Sequence, residues 1–412
     1  MKTCLPLFGL SIWASALQIG SMVTAKDLDP NDNLGEEDFR SQFGLDQIDD
    51  PGEKAKRREA LKDNEEIVKW VNKAYVKGEL TWFDKINDMA DLTKDEFVKE
   101  KTGLHTQYGR GLLRMPDGPE GRDERSEKYF DKFRYSRASI PSSYSSVEKG
   151  NVSPVRNQEQ CGSCVSFATI ATVETCFKKI TGVFGDYSEQ ELLDCGYGQN
   201  QAWSCNGAQL YSYAKWVVDN QRELTHENDY PYLNVAPKYT CPRNIRPFNQ
   251  GARVTDYFYT HDGNEELLKK LVYEHGAVQV AVNADPAFGD YGGGILGGCY
   301  NNGKAYINHA VTVVGYGTKD GNDYWLIKNS WSTKWGENGY VRLKRGSNAC
   351  SIGWHMTTVS CERVPGPTDR APTTEPTEAP CNDIWGSHCQ RRRDEWCPGQ
   401  YAKYCKKTCG GC

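Results

Sequence analysis

The chain has 412 residues, which is long for one domain and suits two or three domains of roughly 150 residues each. Its 38% hydrophobic and 25% charged residues support packed cores and exclude a polytopic membrane protein, a collagen and a wholly disordered chain. The net charge of -5, from 55 acidic and 50 basic side chains, gives no electrostatic footprint for a nucleic-acid binder.

The N-terminal residues 1–25 predict a secretory signal peptide. Lys2 is followed by a mostly apolar run from Cys4 to Leu17, which is shorter than the about 20 residues that span a bilayer. Small residues at 14–16 and 23–25 offer two cleavage positions, and a buried N-terminal helix is the alternative. No later run approaches about 18 apolar residues, so we expect no membrane span, and secretion would favour disulfides.

The region 26–138 contains no cysteine, is rich in charged side chains and predicts a helical module. Six side chains recur at steps of four, four, three, four and four residues, which places them on one face of a helix. These side chains are Glu53, Arg57, Leu61, Asn64, Val68 and Asn72. On spacing alone, any amphipathic helix satisfies this pattern.

The region 139–361 holds nine of the 16 cysteines and short β-type runs at 277–282 and 310–314, which predict a mixed α and β domain. Cys164 begins a helix that we predict to run through Lys179, and the positive end of a helix dipole lowers the pKa of a thiol. Cys161 and Cys164 alone also fit a redox pair or half of a zinc site. A histidine and an asparagine in equally recognisable contexts downstream argue against both.

Three motifs in this region together resemble the papain family of cysteine proteases. They are QEQCGSC at 158–164, NHAVTVVGYG at 308–317, and WLIKNSW with WGENGY between 325 and 340. The resemblance implies an α+β fold of two lobes, one helical and one like a β-barrel. It also implies a role for each of five side chains. Cys164 would be the nucleophile, His309 the general base and acid, Asn329 the residue that orients the imidazole, Gln158 the oxyanion-hole donor, and Trp331 the cover of the Asn329–His309 hydrogen bond.

Each of these roles answers a chemical need. A thiol at its free pKa is only slightly ionised near neutrality, and an adjacent imidazolium holds it as thiolate. A side-chain amide can fix the imidazole in one orientation, and an oxyanion-hole donor is typically worth about 3 kcal/mol. No metal or cofactor is implied. The family usually has Trp after the nucleophile, and Val165 stands there; we expect activity, with an altered pocket wall or thiolate environment.

The resemblance also implies three disulfides in this region. The pairs are Cys161–Cys205, Cys195–Cys241 and Cys299–Cys350. With Cys164 free, an even eight cysteines remain, so elimination pairs Cys176 with Cys361. Two buried free thiols are the alternative for this last pair.

The helical module resembles the ERFNIN signature of papain-family propeptides, with Leu61 for Phe and Val68 for Ile, followed at 87–93 by an imperfect second motif. The resemblance implies that 26–138 is an intramolecular inhibitor and that the protein is a zymogen. We expect cleavage between Arg137 and Ile140, and maturation at acidic pH.

By the resemblance, residues 205–208 would hydrogen-bond an extended peptide as an added strand. The predicted substrate-binding residues are Gly207, Ala208, Gln209, Leu210, Ile307, Ala310, His355 and Trp331. His355 at the base of a pocket would accept acidic groups when charged. No histidine-bearing insertion separates Cys195 from Cys205, which favours endopeptidase over exopeptidase activity.

The C-terminal part predicts a linker and a small disulfide-stapled module. Residues 362–380 are dominated by Pro, Thr and Glu and predict an extended linker. Residues 381–412 contain six cysteines and resemble an ShK-toxin-like domain. The resemblance implies the pairs Cys381–Cys412, Cys389–Cys405 and Cys397–Cys409, although six cysteines allow 15 connectivities. We expect a binding or tethering role on a surface, with a channel as the alternative ligand.

These motifs predict a secreted cysteine endopeptidase, made as a zymogen, that cleaves protein or peptide substrates through a thioester acyl-enzyme and is inhibited by its own propeptide. The expected location is extracellular, or an acidic endolysosomal or digestive compartment such as the lysosome. The alternative is a binding protein or toxin that uses the papain-like region as a scaffold.

Overall fold

The computed structural model describes residues 48–104, 124–136, 139–200, 202–234, 241–242, 247–248, 251–261, 264–300 and 307–364. The predicted signal peptide, nearly all of the predicted linker and the predicted C-terminal module lie outside these residues, as do the three cysteine pairs assigned to that module.

In the region before residue 139, called the prosegment below, the described residues form three helices and one short strand. These are α1 (Pro51–Val76), β1 (Trp82–Asp84), α2 (Lys94–Lys101) and α3 (Glu124–Arg134). The predicted helical face is in α1, and its two asparagines bind the chain that follows. Asn64 Nδ2 donates to Ala90 O at 2.7 Å, and Asn72 bonds both the N–H and the carbonyl of Asp84, at 2.9 and 3.2 Å. This face of α1 therefore holds the following prosegment chain, at Asp84 and Ala90, in place through hydrogen bonds.

From residue 139 onward, the part of the chain that the structure describes contains five more helices. They are α4 (Cys164–Thr181), α5 (Glu189–Cys195), α6 (Ser212–Asp219), α7 (Glu265–His275) and α8 (Pro286–Gly289), with 3-10 turns at Ser204–Asn206 and Ala349–Ser351. Helix α4 begins at the predicted cysteine and ends two residues beyond the predicted Lys179. It stops at Gly182, whose φ of 78° is a left-handed conformation that glycine adopts without steric cost.

Nine strands among the described residues form one mixed sheet. Besides β1, they are β2 (Tyr144–Ser145), β3 (Ala252–Thr260), β4 (Val278–Val282), β5 (Tyr291–Leu296), β6 (His309–Lys319), β7 (Asn322–Lys328), β8 (Tyr340–Lys344) and β9 (Met356–Arg363). Their order is β1-β5-β8-β7-β6-β4-β9-β3, with β2 paired to β6. The β5–β8 pair is parallel and the others are antiparallel. The prosegment supplies one edge strand, β1, and β3 is the strand at the other end.

Two large buried apolar clusters make up most of the core of the described residues. One is centred on the sheet and α7 and includes Phe288, Trp325 and Trp335, and the other surrounds α4. Each fully buried large apolar side chain contributes about 1.5–3 kcal/mol. Cys164 belongs to the helical cluster and Trp331 to the sheet cluster. The predicted α+β fold with one helical and one β-rich part is confirmed, and the candidate site lies where these parts meet.

Candidate active site

Cys164 is the first residue of α4, and it is the one cysteine in the described part of the chain without a disulfide partner. Its side chain is fully buried, and its Sγ accepts a hydrogen bond from Ala310 N at 3.4 Å. Helix α4 is itself buried along most of its length, so the thiol is held rigidly at the helix N-terminus.

His309 is the first residue of β6, and its hydrogen bonds fix its tautomer. Its Nε2 lies 2.9 Å from Asn329 Oδ1, and the same oxygen accepts from Ser330 N at 2.8 Å. A backbone N–H can only donate, so this Asn329 atom is the amide oxygen and Nε2 of His309 carries the proton. Nδ1 is therefore the lone-pair nitrogen, and no described residue hydrogen-bonds to it. The ring of Trp331 stacks on the imidazole with centroids 4.6 Å apart.

Gln158 is fully buried, and a serine fixes its amide. Its Oε1 accepts from Ser330 Oγ at 2.6 Å, so its Nε2 donates, to Cys161 O at 3.0 Å and to Lys101 O at 3.3 Å. Ser330 thus orients both amides of the site, Asn329 through its N–H and Gln158 through its hydroxyl. Ser330 is not among the predicted site residues, although it stands between Asn329 and Trp331 in the third motif.

The prosegment crosses the site through residues 101–104, which we call the cleft segment. Its first carbonyl, Lys101 O, accepts from Gln158 Nε2 and from Trp331 Nε1, the latter at 3.1 Å. Ala208 N donates to Gly103 O at 2.9 Å, and Leu104 N donates to Asn308 O at 3.0 Å. The backbone predicted to bind an extended peptide therefore binds the prosegment. The sequence motifs do not indicate which prosegment residues make these contacts.

The family comparison agrees with this geometry. Residues 140–360 match the family model described as papain family cysteine protease, which is more than half of the chain. The chain belongs to the papain family.

Relatives extend the match into the prosegment. The chain is 33% identical over 349 residues to fruit bromelain of Ananas comosus, covering 84% of this chain and 89% of bromelain. It is 33% identical over 320 residues to digestive cysteine proteinase 1 of Homarus americanus, covering 77% and 91%. Among solved structures, digestive procathepsin L 3 of Tenebrio molitor larval midgut superposes with a TM-score of 0.65 at 29% identity, covering 79% of this chain and 98% of that one. The protein is a papain-family cysteine peptidase, a hydrolase, in a procathepsin-like zymogen form.

The zymogen's prosegment approaches the peptidase backbone closely at Gly103. A Cβ at this position would lie 1.9 Å from Gly162 O, and a Cβ on Gly162 would lie 2.6 Å from Cys205 O and 2.9 Å from Thr102 O. Backbone therefore lies directly on backbone next to the thiol. A glycine is required at Gly103 because no side chain fits there.

Burial under the cleft segment keeps both candidate reacting groups neutral. It raises the pKa of Cys164 to about 12, although hydrogen bonds from the backbone N–H groups of Ala310 and Gly103 act to lower this pKa. Burial also lowers the pKa of His309 to about 4, although the hydrogen bond to Asn329 acts to raise this pKa. The thiolate–imidazolium pair is suppressed in the zymogen, because desolvation disfavours every charged form.

Several of the predicted pocket residues share an apolar cluster with the cleft segment. Leu210, Ile307 and Ala310 are buried in the same apolar cluster as Leu104 of the prosegment. The substituted position Val165 is buried in this cluster too.

Three other predicted substrate-binding residues are Gln209, Gly207 and His355. The contact that His355 makes with a second histidine is not predicted from the sequence. Gln209 is buried, and Gly207 has a φ of 98°. His355 is buried, and its Nδ1 lies 3.0 Å from Nδ1 of His261. The two histidines flank the paired ends of β9 and β3, a pairing that no sequence motif indicates.

The structure joins the eight other described cysteines in four pairs. They are Cys161–Cys205, Cys195–Cys241, Cys299–Cys350 and Cys176–Cys361. These are the three pairs implied by the resemblance and the one obtained by elimination. Among the described residues, no helix has the length and hydropathy needed to cross a membrane.

Proposed function

We propose that the protein is a secreted cysteine endopeptidase whose reacting groups are Cys164, His309, Asn329 and Gln158. The observation that carries this proposal is the pair of fixed amides. Asn329 leaves Nδ1 of His309 as the base, and Gln158 directs its Nε2 at a peptide carbonyl, that of Lys101. A side-chain amide that already donates to a prosegment carbonyl can donate in the same way to a substrate oxyanion.

The reaction follows from these roles. Nδ1 of His309 takes the proton of Cys164, and the sulfur attacks the scissile carbonyl carbon. The oxyanion accepts hydrogen bonds from Gln158 Nε2 and the N–H of Cys164. His309 then gives its proton to the leaving amine, which leaves a thioester on Cys164. A water molecule, deprotonated by His309, attacks the thioester, and collapse of this second intermediate releases the carboxylic acid and returns the proton to the thiol.

Displacement of the cleft segment is the activating step in this proposal. While residues 101–104 cover the thiol, burial holds Cys164 and His309 neutral. An extended substrate would use the same donors, Ala208 N and Gln158 Nε2, that the cleft segment occupies. Prosegment and substrate are therefore mutually exclusive, which supports the inhibitory role predicted for 26–138.

The remaining parts of the proposal extend the sequence predictions. Residues 1–25 direct secretion, 139–361 form the peptidase, 362–380 link it to 381–412, and this last module binds or tethers the enzyme to a surface. The relatives from Homarus americanus and Tenebrio molitor are named digestive, which supports an extracellular or acidic digestive location. The substrates are proteins or peptides bound as an added strand at 205–208.

The test uses the full chain after activation at acidic pH, assayed on a general peptide substrate with and without a thiol-directed epoxide. We expect turnover that the epoxide abolishes, with covalent labelling at Cys164 found by peptide mass mapping. The matched variant Cys164→Ser should be processed by added active enzyme yet show no turnover. Turnover that persists in this variant, or an activated wild type without turnover or labelling, would favour the scaffold alternative.

A further inference from the structure

Helix α3 (Glu124–Arg134) covers the free edge of the sheet, at the end opposite β1. Its Ser126 Oγ accepts from Tyr259 N at 3.2 Å, and its Arg125 Nη2 donates to Tyr257 O at 3.2 Å. Both partners belong to β3, the last strand in the sheet order. An edge strand exposes unpaired N–H and C=O groups that invite pairing with other chains. Side chains of α3 bind these groups on the outer side of β3.

The same helix completes the sheet-centred core. Phe130 is fully buried in the apolar cluster that also contains Phe258 and Leu271. The ring of Tyr129 lies flat on that of Phe258, with centroids 3.5 Å apart, and its hydroxyl is 2.6 Å from Nε2 of His275. Removing α3 would uncover aromatic side chains of the peptidase as well as a strand edge.

Both ends of α3 are bound to the peptidase by charged groups. Arg125 pairs with Asp256 at 2.5 Å near the helix N-terminus. At the C-terminus, Nζ of Lys270 donates to Phe133 O at 2.8 Å and to Ser136 O at 3.1 Å. A cation on the last carbonyls of a helix satisfies their acceptors and interacts favourably with the helix dipole.

The contacts of α3 are independent of those of the cleft segment. Leu104 and Glu124 are separated by residues 105–123, so one cut in this interval would free the cleft segment and leave every contact described above intact. We propose that α3 stays on the peptidase after activation as a structural part of the mature enzyme, an inference that rests on the proposed zymogen maturation. Cleavage between Arg137 and Ile140 would make it a bound peptide, and without that cleavage it would be an N-terminal extension.

The first test measures the composition of the activated enzyme. The full chain is activated, purified by size exclusion and weighed by native and by denaturing mass spectrometry. We expect residues 124–136 in the native mass, on the catalytic chain or as a peptide released by denaturation. An active enzyme that begins at 139 or 140 and carries no bound peptide would overturn the proposal. Weighing Cys164→Ser protein processed by an added protease gives the same reading without enzyme activity, so failure of the proposed nucleophile is distinguished from failure of this inference.

The second test compares matched phenylalanine variants in the two parts of the prosegment. Phe130→Ala should lower the thermal midpoint of the activated enzyme by roughly 10 °C, because a buried ring of the mature core is lost. Phe97→Ala in α2, a residue that contacts Trp331, should weaken latency and leave that midpoint unchanged. Should Phe130→Ala not fold, Lys270→Met, which removes the ammonium from the α3 carbonyls, replaces it and should lower the midpoint by a few degrees. Equal midpoints for the activated wild type and the α3 variant would contradict a retained helix.

Discussion

Two of the contacts between the prosegment and the peptidase are built differently. The cleft segment is held mainly through backbone groups, with its carbonyls and N–H groups bonded to Gln158, Trp331, Ala208 and Asn308. Helix α3 is held by buried aromatic rings and charged side chains. Backbone contacts of the first kind can be exchanged for any extended peptide, whereas side-chain contacts of the second kind are specific to this chain. The first contact suits an inhibitor that must leave, and the second suits a permanent part of the fold.

The largest expected effect is on the reactivity of Cys164. In the zymogen the covered thiol, with its pKa raised to about 12, should be alkylated by iodoacetamide at least about a thousandfold more slowly at pH 7 than in the activated enzyme. The rate is measured by mass spectrometry of the peptide that contains Cys164. Equal rates in the two forms would mean that the cleft segment does not cover the thiol in solution.

Gly103→Ala should come next, because it breaks the cleft contact while leaving α3 untouched. The added Cβ would lie 1.9 Å from Gly162 O, so the two backbones must separate. We expect inhibition by the prosegment to weaken about 100-fold, the equivalent of about 3 kcal/mol. The measurement is the activity of intact chain immediately after purification at neutral pH.

Gly52→Ala, at the N-terminus of α1, is the matched control for this glycine substitution. Its new Cβ would meet only Asp50 Oδ1, at 3.2 Å, and latency should not change. If Gly103→Ala stays as latent as this control, the close packing at Gly162 does not maintain inhibition.

A third prediction concerns two carboxyl groups buried where β1 meets β5. Asp84 of the prosegment has neither carboxylate oxygen hydrogen-bonded among the described residues, and burial followed by the charges of Asp290 and Asp285 raises its pKa well above the usual value. Burial, with the charge of Asp285, raises the pKa of Asp290 to about 7. Raised values mean that the docked prosegment retains protons, so this contact is strongest in acid and weakens as the pH rises through about 7.

Asp290→Asn should remove much of this pH dependence. At pH 7.5 we expect the variant to activate about tenfold more slowly than wild type, and at pH 4.5 to activate at the same rate. The readout is the rate of prosegment loss on denaturing gels across the pH range, after addition of a trace of active enzyme. A wild type and a variant with parallel pH profiles would show that Asp290 does not titrate in this range.

Much of the candidate active site beneath the cleft segment could be predicted from the sequence. Few of the contacts of helix α3 could be. Cys164, His309 and Asn329 stand in motifs whose spacing reflects local geometry, and the face of α1 follows a helical period. The role of Ser330 and the pairing of His261 with His355 depend on chain segments far apart in sequence. The sequence of α3 is dominated by charged residues, and its few aromatic side chains acquire a role only when β3 and α7 are brought beside them. The sequence therefore predicts 26–138 as one inhibitor and does not distinguish α3 from the cleft segment.

The smallest expected effect concerns His275, the peptidase residue that meets Tyr129 of α3. Burial, with the nearby charge of Lys179, lowers the pKa of His275 to about 4, and a hydrogen bond with the backbone of Val359 opposes this. With α3 docked, His275 stays neutral, whereas without α3 it would bind a proton below about pH 6.5. Docking of α3 is therefore strongest above that pH and weakens as the pH falls toward 4.

If α3 is retained, the thermal midpoint of the activated wild type should fall by about 2 °C more between pH 6.5 and 5 than that of His275→Gln, whose amide can keep both hydrogen bonds without titrating. If α3 leaves with the inhibitor, His275 becomes exposed and the two midpoints should change in parallel. The same pH series in the Cys164→Ser zymogen, where α3 is covalently attached, should show the larger fall of the midpoint relative to its His275→Gln variant whether or not α3 is retained on activation. The zymogen series therefore tests the titration of His275, and the series on activated enzyme tests the retention of α3.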